Sequence, residues 1–99
     1  MSIKKIIKEY LDMLLLSNPN TIIPNFQLII NISRYMRLKY DKYATEETIS
    51  RKWREYRALL PEIEYGDKKE KLYKGNDKEY IMQEKYKGKL LYWYFTEVF

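Results

Sequence analysis

The sequence predicts an α+β fold, with helices before Pro61 and strands after it. Three observations carry that prediction. Apolar residues recur at helical spacing in three segments ahead of Pro61. Ser17-Asn18-Pro19-Asn20, Pro24 and Pro61 punctuate those segments. Beyond Pro61 the pattern changes to short β-prone runs separated by glycine. A chain of 99 residues, 45% hydrophobic and 33% charged, fits one domain (1–99) with a single modest core.

The first helix is expected at 2–16. Ile3, Ile6, Ile7, Tyr10, Leu11, Leu14 and Leu15 recur at 3-4-3-4 spacing, while Lys4, Lys5, Lys8, Glu9 and Asp12 take the other side. The second is expected at 24–40. Pro24 suits a first helical turn, Thr21 is a candidate cap upstream, and Leu28, Ile29, Ile32, Tyr35 and Met36 line one face. After a polar-aromatic connection, Tyr40 to Ala44, a third helix is expected at 45–60. Thr45 is a favourable N-cap, and Glu46 and Glu47 stand in the first turn, where the helix dipole favours acids. Ile49, Trp53, Tyr56 and Leu60 share its apolar face. Arg51 and Arg54 point the opposite way, with Lys52 and Arg57 flanking the stripe.

Ile63-Glu64-Tyr65 is a short strand candidate, and residues 66–79, dense in charge with two glycines, read as a basic loop. Tyr80 to Tyr86 and Leu90 to Phe99 bracket Lys87-Gly88-Lys89 as a hairpin over 80–98. A helix capped by Asp77 is the alternative for Tyr80–Tyr86. The run Leu90-Leu91-Tyr92-Trp93-Tyr94-Phe95 is apolar on both faces and so demands cover on both.

The chain contains no cysteine and no histidine. Disulfides, thiolate or imidazole zinc sites and Ser-His-Asp triads are therefore excluded, and the expectation is a non-enzyme with no cofactor, no metal and no small-molecule substrate. Glu9 and Asp12 interrupt any signal-peptide core, and no apolar run nears the ~20 residues of a membrane span. A cytoplasmic protein without a membrane partner is expected, in the host cytoplasm if the source is viral. A net charge of +5 favours polyanionic partners.

All five arginines (Arg34, Arg37, Arg51, Arg54 and Arg57) fall between residues 34 and 57. Guanidinium is a planar fork that grips a phosphate or a guanine edge in two places, whereas lysine is a hydrated point charge. Grouping the forks on two adjoining helices points to nucleic acid, with duplex DNA favoured.

Ser33-Arg34-Tyr35-Met36-Arg37 closing the second helix, the turn Tyr40–Ala44, and the run from Thr45 to Arg57 give the chain its resemblance to the winged helix-turn-helix family of DNA-binding domains. Small phage and archaeal-virus proteins include domains of this kind. The resemblance implies a three-helix helix-turn-helix core followed by a C-terminal β-hairpin, the wing, and a role as a viral or mobile-element regulator. The helix after the turn would enter the major groove while the wing touches the flanking backbone. By position, Ser50, Arg51 and Arg54 would face bases. Thr48, Lys52, Arg57 and Arg34 would lie nearer phosphates, Arg37 would join the DNA-binding residues, and Lys85, Lys87 and Lys89 would form the wing tip.

Three other readings follow from the residues. A protein-interaction module, either a homodimer or a docking site for a viral or replication partner, would use Leu91, Trp93, Phe95 and Phe99 of the aromatic last strand. A single-strand or RNA binder would stack bases on Tyr35, Tyr40, Tyr43 or Tyr56, which interleave with the arginines. A Mg²⁺ nuclease would need Glu62, Glu64, Asp67, Asp77 and Glu79, acids with no recognisable spacing.

Overall fold

The 3-4-3-4 apolar spacing at the amino terminus becomes helix α1 (Ile3–Ser17). Ser2 caps it, its hydroxyl accepting from the Lys5 N–H at 3.3 Å and its carbonyl from the Ile6 N–H at 3.1 Å. Helix α2 (Asn25–Tyr40) and helix α3 (Glu46–Leu59) follow the second and third apolar stripes. These elements come from a computed structural model, which describes residues 2–17, 21–60, 62–63, 71–74 and 79–96. The result is α+β, three helices and an antiparallel sheet among the described residues.

Thr21 does not cap α2. It opens strand β1 (Thr21–Pro24), and Pro24 itself holds the N-cap position at φ −62, ψ 147. Thr-Ile-Ile is a β-branched run, and proline is tolerated on an edge strand because the edge leaves its missing N–H without consequence. Strands β2 (Glu62–Ile63), β3 (Lys71–Lys74), β4 (Glu79–Tyr86) and β5 (Lys89–Thr96) complete a sheet of order β1-β5-β4-β3-β2, every neighbouring pair antiparallel. One expectation changes here and one alternative falls away. Residues 66–79 are not loop throughout, because Lys71–Lys74 pairs with β4 and residue 79 already belongs to β4. Tyr80–Tyr86 is strand, as the hairpin reading expects, and the helical alternative does not form. In both cases ladder pairing with a neighbour outweighs the local charge pattern.

The β4–β5 hairpin closes on a two-residue turn, with Tyr86 and Lys89 as the last register pair. Lys87 (φ 49) and Gly88 (φ 76) both take left-handed backbone, the geometry whose twist matches that of paired strands. Along the edge of β5 away from β4, β1 pairs with β5 from Thr21↔Tyr94 to Pro24↔Leu91. The segment between α1 and α2 therefore ties the hairpin to the helices.

One core joins the layers. Ile6, Ile7 and Leu11 of α1, Leu28, Ile32 and Met36 of α2, and Ile49 and Trp53 of α3 bury against Ile23, Ile81 and Tyr92 of the sheet. Trp53 is 1% exposed, and its ring meets Tyr92 edge-on at 5.2 Å. A polar pin clamps α1 to α2. Glu9 accepts hydrogen bonds from the Tyr35 hydroxyl, the Tyr40 hydroxyl and the Lys39 ammonium. Those bonds, Lys39's first and then those of the two tyrosines, hold its carboxyl down at about 2, and the same bond pushes the Lys39 ammonium up.

Candidate nucleic-acid interface

The geometry of the site begins with how α2 ends and α3 starts. Asp41 (φ 49) stands in the left-handed position that usually belongs to glycine, and its N–H donates to the Arg37 carbonyl at 3.1 Å. Aspartate is one of the few other residues that visits this region routinely. The turn therefore reverses the chain without a glycine. Four residues later the Thr45 hydroxyl accepts from the Thr48 N–H at 3.1 Å and starts α3. The cap uses the Thr48 hydroxyl as well, 2.9 Å from that of Thr45.

On α3, Arg51 and Arg54 are exposed, and Ser50 is half-buried. Lys52 is half-buried and pairs with Glu55 at 3.4 Å. Glu55 also meets Lys4 of α1 at 3.6 Å. Burial pushes the Glu55 carboxyl up, but Lys4, Lys52 and, more weakly, the charge of Arg51 outweigh it and leave the group below its usual range. The acid beside the arginines is thus largely neutralised by two lysines, and Lys52 serves that pair.

Arg57 departs from expectation. It is 9% exposed, with its guanidinium 4.9 Å from the Trp53 ring centre and 4.8 Å from that of Tyr92. Positions 53 and 57 lie one helical turn apart, so a residue that flanks the stripe on a helical wheel is carried over the indole and onto the sheet. Its planar cation stacks there as lysine would not. Arg57 is thus a buried cation packed on two rings of the core and not a solvent-facing one.

On α2, Arg34 and Arg37 are exposed and share the wall of an open depression of about 400 Å³ with Leu38 and Tyr43. No ion pair among the described residues engages Arg34, Arg37, Arg51 or Arg54. Lys87 and Lys89 are exposed at the hairpin turn. For Lys85 the backbone alone is described.

The aromatic expectations divide in a similar way. Tyr35 and Tyr40 are occupied by Glu9, and Tyr56 lies half-buried, stacked on Trp53 at 6.0 Å. Tyr43 is 72% exposed. Leu91 is half-buried in register with Pro24 and Glu84, the side chains of Trp93 and Phe95 are not described, and Phe99 lies outside the described residues. Of the candidate metal-binding acids, Glu64, Asp67 and Asp77 also lie outside them.

Two features went unnoticed in the sequence, the Glu9 pin and the Leu38–Tyr43 depression. The spacing Arg34, Arg37, Leu38 was a usable signal for the second, because it places three side chains on one helix face. No helix among the described residues is long and apolar enough to cross a membrane. The chain matches no family model, and no curated protein or solved structure proved similar to it.

Proposed function

We propose that this protein binds nucleic acid, principally duplex DNA, in the manner of a winged helix-turn-helix domain. In this reading α3 lies in the major groove and the β4–β5 hairpin lies along the flanking backbone. The observation that carries it is the state of four arginines. Arg34, Arg37, Arg51 and Arg54 stand in solvent on two helices joined by a five-residue turn, outside every ion pair among the described residues. Exposed guanidinium forks can displace condensed counterions and, in the groove, pair bidentately with guanine for about 1–3 kcal/mol of discrimination each. The β1–β5 pairing supports the reading mechanically. It anchors the hairpin that presents Lys87 and Lys89 to the same layer that holds α2.

The test is an electrophoretic shift with duplex DNA. Replacing both Arg51→Ala and Arg54→Ala weakens binding at least ~10-fold, since two phosphate or base contacts are lost. The melting temperature stays put, because both side chains are exposed. Unchanged duplex affinity in the double variant rejects this surface.

A further inference from the structure

We infer that the depression at the end of α2 takes one unpaired nucleotide of a nucleic acid, its base on the Tyr43 ring and its phosphate on Arg34 and Arg37. The inference rests on the nucleic-acid reading above and adds a ligand state that reading does not require. Three observations converge on it. Arg34 and Arg37 are one turn apart on α2 and line the same open depression, so two guanidinium forks are available to one anion. Leu38 and Tyr43 are 88% and 72% exposed, apolar surface that neither the core nor any described aromatic contact uses. The left-handed backbone at Asp41 brings the chain back so that Tyr43 stands beside the arginines instead of running away from them.

The chemistry selects the occupant. A volume of about 400 Å³ lies at the small end of ligand sites, too little for a duplex groove and suited to a single base with its sugar and phosphate. Among the described residues the depression is lined by two arginines and by no acid, although exposed Asp41 stands in the same turn. In a duplex the faces of the bases are covered by their neighbours. An exposed tyrosine ring gains a stacking partner only where a base is unpaired, as in a single strand, an overhang or a flipped nucleotide.

Fluorescence anisotropy with a labelled oligothymidylate and with a blunt duplex separates the two surfaces. Tyr43→Ala is expected to weaken single-strand binding about 5- to 100-fold, the range of one base stack, and Tyr43→Phe to retain it within about twofold. Blunt-duplex affinity stays within about twofold in both variants, and thermal melting, checked alongside, is unchanged because the ring is exposed. Wild-type single-strand affinity in Tyr43→Ala, or no single-strand binding by the wild type, overturns the subsite. Tyr43-dependent single-strand binding without any duplex binding upholds the subsite and overturns the duplex reading. Duplex binding that depends on Arg51 and Arg54, with single-strand binding indifferent to Tyr43, overturns the subsite alone.

Discussion

Arg57 separates a structural arginine from the contact arginines around it, and truncating it gives a quantitative test. Its guanidinium lies against both the Trp53 and Tyr92 rings, 4.9 and 4.8 Å from their centres. Arg57→Ala removes two cation–π contacts, each worth about 1–2 kcal/mol when desolvated. It also removes two buried methylenes, Cγ and Cδ, at ~0.8 kcal/mol apiece. Against this stands the relief of a partly desolvated charge, which recovers a few kcal/mol. The expected net loss is about 2–4 kcal/mol. With a urea slope of about 1 kcal/mol/M for a chain this small, the unfolding midpoint drops by roughly 2–4 M. Thermal melting falls by roughly 10–25 °C. Arg57→Lys keeps the charge and the stem but not the planar stack, so it falls between wild type and alanine. Duplex affinity, measured well below the transition, stays within about twofold of wild type. An Arg57→Ala protein that melts like wild type yet loses DNA affinity refutes the reasoning and returns Arg57 to the contact surface.

Two further predictions concern the frame of the site. Glu9 is held down at about 2 in the folded chain against 4.5 ordinarily, so the unfolded chain binds that proton first. The stability it contributes is complete above pH 4.5 and is lost as pH falls toward about 2. Glu9→Gln should flatten that acid limb in a series of melting curves, and parallel limbs for the two proteins contradict the pin. Asp41→Gly relieves a left-handed backbone that costs a non-glycine residue ~1–2 kcal/mol, less the ~0.5–1 kcal/mol of freedom that glycine loses on folding. A net gain of about 0.5 kcal/mol, a rise of a few degrees in melting temperature, is expected. A destabilised glycine variant shows that the aspartate side chain holds the turn by other means.

The helices were legible because each has a self-contained stripe and punctuation. The Thr45 cap, the acids after it and the inward Trp53 follow directly from spacing at 3.6 residues per turn. Strands β1 and β3 were not legible, for a different reason. Four residues such as Thr-Ile-Ile-Pro or Lys-Leu-Tyr-Lys carry too little local pattern, and only pairing with β5 or β4 makes them strands. At the site, exposure of Arg51 and Arg54 was readable from the helical wheel. The burial of Arg57 was not, because it depends on Tyr92, a residue 35 positions away on β5. The isolation of Tyr43 from its three interleaved neighbours was hidden similarly. Glu9, far upstream on α1, claims Tyr35 and Tyr40, and Trp53 claims Tyr56.

The measurement that bears most directly on the central claim is the affinity of the unmodified protein for random-sequence duplex DNA at two salt concentrations. On random sequence, where Arg51 and Arg54 meet phosphates in place of a recognised base, four exposed arginines give a log–log slope near −3.6, so raising salt from about 50 mM to about 200 mM weakens binding roughly 100-fold. Contributions from the hairpin lysines steepen it further. An affinity that changes less than about threefold across that range, or no measurable binding at the lower salt, contradicts the account.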